Sequence, residues 1–106
     1  MSTSKIKAVF FIPLWDNDGR GLRTEITELE TGLYATFVGW TLLGTVKGMY
    51  QMRDLRPAFD ECNSYMVLLS EERLPELLEL LTDFKSKTTQ EAIYLELQRD
   101  VEVRFI

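Results

Sequence analysis

Two helical stripes of apolar side chains, set among period-two strand patterns, constrain this chain more than any other feature. Ile26, Leu29, Leu33 and Phe37 stand at offsets of zero, three, seven and eleven, which places them on one face of a helix. Leu74, Leu77, Leu78, Leu81 and Phe84 form a second stripe, in which Leu78 is expected to be core. Each stripe is one face wide. Two such helices cover one side of a sheet and leave the other side bare.

The remaining segments read as strands and turns. Residues 5–12 alternate, with Ile6, Ala8, Phe10 and Ile12 on one side and Lys7, Val9 and Phe11 on the other. Both sets are largely apolar, as a central strand requires. Residues 16–21 (Asp-Asn-Asp-Gly-Arg-Gly) form a polar turn. Thr24 is the expected N-cap of the first helix and Gly39 its left-handed C-cap, with Gly32 inside the helix. Residues 40–52 return to period two, which sets Leu43 and Met49 opposite the Trp40 and Tyr50 face, with a bulge expected near Gly44 or Gly48. Residues 53–62 read as irregular and residues 64–69 as a third strand. Ser70 is placed to cap the second helix. Residues 92–97 and 101–105 alternate around Arg99-Asp100 as a terminal hairpin.

The order β-α-β-β-α-β-β, with right-handed crossovers, predicts one α+β domain spanning residues 1–106. The expected arrangement is a ferredoxin-like split βαβ sandwich with both helices on one face of an antiparallel sheet. The uncovered face would carry Val9, Phe11, Leu43, Met49 and Tyr94, too apolar to stay wet.

Composition removes several function classes. The 106 residues include no His and one Cys, so the commonest general base and metal ligand is missing and no intrachain disulfide can form. The net charge of −5 argues against a phosphate-backbone binder, so no nucleic-acid partner is expected. Lys5 and Lys7 precede an apolar run, but Pro13, Asp16 and Asp18 break it, and a buried strand is expected rather than a leader peptide. No apolar stretch has membrane-spanning length, and a cytoplasmic protein without membrane contact is the expectation.

Chemistry-bearing residues are few. Asp16, Asp18 and Glu25 mimic part of a calcium loop, but Leu14 occupies its first ligand position, and no metal or cofactor is expected. Cys62, flanked by Asp60 and Glu61, reads as an idle thiol. Asp60 and Glu61, with Glu91 and Glu96, are the carboxylates able to gather near a cleft. Trp40 and Tyr50, on one strand face, and Gln90, entering the last strand, complete the ligand-binding candidates; none is assigned a catalytic role.

The segments Phe37-Val38-Gly39-Trp40-Thr41, Gly48-x-Tyr50 and Gln90-Glu91-Ala92-Ile93 resemble small ferredoxin-like families of unassigned function, over residues 24–106. Those families carry a second glycine where Val38 stands. Gly39-Trp40-Thr41 followed by Val46-Lys47-Gly48 is similar to the second-strand pattern of PII-like trimeric signalling proteins. Their glycine-rich nucleotide loop is missing, since residues 86–89 contain no Gly. That resemblance implies the fold and an oligomer, without nucleotide binding.

Two readings of function follow. The first is a non-catalytic binding or interaction module that self-associates, as a dimer or higher cyclic oligomer, through Val9, Phe11, Leu43, Met49 and Tyr94. The alternative is a small enzyme or PII-like regulator that binds a small molecule near Tyr50, Asp60 and Glu91. A pocket with convergent polar groups favours the second.

Overall fold

A computed structural model describes residues 2–106, with side chains from residue 5 onward. The chain runs β1 (Ser2–Pro13), α1 (Arg23–Phe37), β2 (Thr41–Gln51), β3 (Pro57–Leu69), α2 (Leu74–Ser86) and β4 (Leu95–Arg104). The strands form one sheet in the order β2-β3-β1-β4, and every neighbouring pair is antiparallel. Insertion of β3 between β1 and β2 makes this a ferredoxin-like split βαβ sheet. No helix of the described residues is long and apolar enough to cross a membrane.

The core lies between the sheet and both helices. Ile6, Ala8, Phe10 and Ile12 of β1 meet Tyr65, Val67 and Leu69 of β3 there, with Ile26, Leu29 and Leu33 of α1 and Leu77, Leu81 and Phe84 of α2. Burying each large apolar side chain contributes about 1.5–3 kcal/mol. Gly32 lets the helices approach, since a Cβ on it would lie 2.9 Å from Cδ2 of Leu80. That contact explains a correction to the second stripe. With Leu80 turned toward α1, Leu78 sits about 60° around the helix from Leu81, the nearest buried position, and is 44% exposed.

The helix ends also differ from the sequence reading. Helix α1 starts one residue before Thr24, with buried Leu22 at its cap and no side-chain cap bond. At its far end Val38, not Gly39, adopts the left-handed conformation (φ 65°) and donates its N–H to the Tyr34 carbonyl at 2.9 Å. Ser70 makes no side-chain cap bond either; a 3-10 turn, Glu71–Arg73, separates it from α2.

Two strand expectations fail for reasons of pairing. Most of the segment expected to be irregular belongs to β3, which Pro57 opens at a position where proline is tolerated. It pairs with β2 as far as Gln51, so β2 and β3 make one long hairpin. The expected terminal hairpin is instead the single strand β4. It follows β1 back to Ser2, and between the pairs Lys5–Val101 and Lys7–Gln98 it carries one extra residue. Asp100 absorbs this bulge with φ 59°, a left-handed conformation that Asp tolerates.

The bulge in β2 falls where expected. The register passes from Leu42–Tyr65 to Gly44–Ser64, leaving Leu43 as the extra residue, and Gly44 has φ 147°. Beyond it the alternation inverts. Met49 pairs with Phe59, which shares its face of β3 with Tyr65 in the core, so Met49 does not lie on the uncovered face.

Candidate functional site

The uncovered face of the sheet holds a cavity of about 310 Å³ between the end of β2, the start of β3 and the loop that leads into β4. Tyr50, Asp60, Gln90, Glu91, Phe11 and Tyr94 line it. Register explains the gathering. Phe11 pairs with Ser64, Gly48 with Asp60 and Tyr50 with Ala58, and opposed residues of an antiparallel pair point to one side.

Each wall is held in place. The rings of Phe11 and Tyr94 stack with centroids 4.5 Å apart and planes 17° from parallel. Tyr50 lies back over Gly48: a Cβ there would sit 2.8 Å from the Tyr50 hydroxyl. Glu91 reaches Arg53 at 3.7 Å, linking the loop before β4 to the hairpin tip.

Asp60 is the chemically exposed element of this wall. The bases nearby are taken: Lys47 by Glu61 at 3.7 Å, Arg53 by Glu91, and Arg56 by Asp54 at 2.6 Å. Among the described residues Asp60 has no ion-pair partner, and its partial burial pushes its carboxyl above the usual value. Cys62, behind it, is buried. Burial, reinforced by the charges of Asp60 and Glu61, pushes its thiol up to about 11. At neutral pH that favours the protonated thiol over the thiolate.

Of the six ligand-binding candidates, the structure brings Tyr50, Asp60, Gln90 and Glu91 together. Trp40 packs edge-on against Tyr65 at 5.5 Å, as part of the core boundary. Glu61 points to the other side, toward Lys47. Of the interface candidates, Val9, Phe11 and Tyr94 share the uncovered face, Leu43 is the bulge residue, and Met49 faces away.

The residue that sequence reasoning undervalued is Asp16. It is buried, and its carboxylate accepts hydrogen bonds from the Thr89 N–H (2.9 and 3.0 Å), the Asn17 N–H (3.0 Å) and the Gln90 side-chain amide (3.2 Å). Asn17 Nδ2 returns a bond to the Thr89 carbonyl at 2.7 Å. Burial alone would raise the Asp16 carboxyl, but the donors outweigh it and hold it below the usual range. Those oxygens are occupied by N–H and O–H groups, and among the described residues no cluster of three potential metal ligands exists. The Asn-Asp-Gly turn signalled a loop; nothing local signalled that Asp16 would be sealed by a segment far along the chain.

A second cavity, of about 370 Å³, adjoins the first. Asn17, Met52, Ala58 and Asp60 line both, and Trp15, Arg56 and Phe59 belong to the second alone.

No family model matches the chain, and no curated protein matches it. Among solved structures it is similar to a phage SAM lyase in complex with S-methyl-5′-thioadenosine, with a TM-score of 0.73 and 14% identity over 91% of this chain and 81% of that one. It is also similar to CutA from Synechococcus elongatus, with a TM-score of 0.60 and 8% identity over 97% of this chain and 83% of that one. The likeness is one of fold.

Proposed function

We propose that this protein binds a small molecule in the cavity between Tyr50, Asp60 and the loop at residues 90–94, and that the ligand is a nucleoside thioether or the related sulfonium. The observation that carries the reading is Asp60, a carboxylate without a counter-charge, set among aromatic rings in a preformed cavity. Phe11, Tyr94 and Tyr50 offer apolar and π surface to an alkylthio arm. Asp60 and Glu91 accept hydrogen bonds from ribose hydroxyls, and Asp60 faces a sulfonium charge favourably. The similar phage SAM lyase structure holds S-methyl-5′-thioadenosine, a ligand that combines these features.

Isothermal titration with S-methyl-5′-thioadenosine and with S-adenosylmethionine tests the proposal. Saturable binding that weakens about tenfold in Asp60→Asn and in Tyr50→Ala is expected, equivalent to about 1.4 kcal/mol. Absence of binding at millimolar ligand, or affinities indifferent to both substitutions, overturns it.

Self-association is a second reading, favoured by a separate observation. Val9, Phe11 and Tyr94 lie on a sheet face that no helix covers. A second copy burying about 800 Å² per partner there would make an interface of standard size. Light scattering at tens of micromolar decides it: an oligomer that Val9→Lys converts to folded monomer supports the reading, and a wild-type monomer rejects it.

A further inference from the structure

Trp15 and Phe59 are 56% and 77% exposed, and both line the second cavity. Among the described residues neither ring stacks on another protein ring. Single exposed aromatics are ordinary, but these two line one cavity, so a ligand seated there would remove the apolar area of both rings from water together.

Trp15 is also held unusually well for an exposed residue. It pairs with Gly21 in an isolated antiparallel bridge, and the six-membered ring of its indole lies against Gly21, 3.4 Å from where a Cβ would be. Its neighbour Asp16 pins the same turn to Thr89 and Gln90. The ring is therefore preorganised, so little ordering entropy is lost when something docks on it.

The sizes of the two cavities matter together. The Tyr50–Asp60 cavity, at about 310 Å³, lies at the lower end of ligand-binding sites, which run from about 300 to 1,000 Å³. A ligand held at Asp60 has this cavity on one side and the second, of about 370 Å³, on the other. The second cavity shares Asp60 and Ala58 with the first and wraps the edge of β3 left unpaired once β1 ends at Pro13, where Phe59 points to the helix side and Asp60 to the uncovered side; its free rings suit a flat, weakly polar group.

Building on the reading of Tyr50 and Asp60 given above, we infer that the cavity flanked by Trp15 and Phe59 is the base compartment of a bipartite site. It takes a planar heteroaromatic ring, a purine in particular, while the sugar and alkylthio arm cross Asp60 into the Tyr50 cavity. Arg56, on its rim, is held by Asp54 through Nε, which leaves the face of its guanidinium to stack on the ring.

The test uses adenine and S-methyl-5′-thioadenosine as separate probes, followed by calorimetry and by tryptophan emission. Adenine alone is expected to quench the wild-type protein and to lose about tenfold in affinity in Trp15→Ala and in Phe59→Ala, with Trp15→Phe restoring most of it. Tyr50→Ala should leave adenine binding intact while weakening S-methyl-5′-thioadenosine. Trp15 and Phe59 are exposed, so their variants are expected to fold. If S-methyl-5′-thioadenosine binds with Tyr50 and Asp60 dependence but Trp15→Ala and Phe59→Ala bind as wild type, the base compartment is refuted and the first reading stands. If Trp15→Ala weakens both probes while Tyr50→Ala and Asp60→Asn weaken neither, the first reading falls instead. If neither probe binds, both fall.

Discussion

Gly48 and Tyr50 share one face of β2, and the ring of the second lies over the first. A Cβ at position 48 would meet Cε2 and the hydroxyl of Tyr50, each at 2.8 Å. The Gly-x-Tyr spacing thus makes room for a side chain, and that room is what puts the phenol beside Asp60, the cross-strand partner of Gly48. Gly48→Ala should displace the ring outward at little cost, since the obstructing atoms end a flexible side chain. Urea unfolding should shift by under about 1 kcal/mol, as for most surface changes, while ligand affinity falls as in Tyr50→Ala. A calorimetric titration that finds wild-type affinity would mean the ring's position is unimportant.

Asp16 and Thr89 are 73 residues apart in sequence and directly bonded. Asp16→Ala leaves the Thr89 N–H without its acceptor and should cost about 2–3 kcal/mol in denaturant unfolding. The acid limb follows from the sign of the shift. The folded carboxyl titrates below its free value of 3.8, so the unfolded chain takes up the proton first. Its stabilisation is complete above that value and is lost as pH falls through the lower folded one. Unfolding curves between pH 5 and pH 2 should be flatter for Asp16→Ala than for wild type; parallel curves would contradict the assignment.

Leu77 and Leu78 are adjacent and should behave oppositely. Leu77→Ala empties a fully buried position and should cost about 2–5 kcal/mol. Leu78→Ala, on the exposed flank, should cost under about 1 kcal/mol. Equal losses would mean that α2 is rotated from the described orientation.

Val38 holds a left-handed conformation that penalises a β-branched residue. Val38→Gly should stabilise the protein by up to about 1–2 kcal/mol, less the backbone entropy that glycine adds to the unfolded chain. A lowered melting temperature would count against strain at this corner.

Asp60 is partly desolvated without a compensating partner, so its folded carboxyl is raised and its charge opposes folding as pH rises through that value. Asp60→Asn is expected to increase thermal stability at neutral pH while reducing ligand affinity. A variant that loses both is not relieving a desolvated charge.

Where burial repeats locally, the sequence was legible. Ile6, Ala8, Phe10 and Ile12 announce the buried face of β1 at period two, and Ile26, Leu29 and Leu33 announce that of α1. Of the site, Tyr50, Asp60, Gln90 and Glu91 could be named in advance as polar or aromatic groups near strand ends. What stayed hidden depends on partners. Met49 changes face because one residue, Leu43, is inserted far upstream of it. Arg99-Asp100 has turn chemistry, yet β1 continues alongside and the chain bulges past it instead of reversing. Leu78 belongs to the apolar stripe by spacing, and it lies outside because Leu80, on the other flank of the stripe, is the one turned toward Gly32. Asp16 looks like any polar turn residue until residues 89 and 90 close over it.

Both outer strands of the sheet, β2 and β4, carry a bulge, at Leu43 and beside Asp100. An outer strand offers unpaired N–H and C=O groups to any extended chain, and open-ended stacking of sheets edge to edge is the route to fibres. The irregularities interrupt the straight run of donors and acceptors on each side. Growth along the hydrogen-bonding direction is thereby discouraged at both ends, so crowding at high expression should favour contacts through the broad surfaces over runaway polymerisation. The same two inserted residues that scramble the reading of the strands protect the molecule from its own edges.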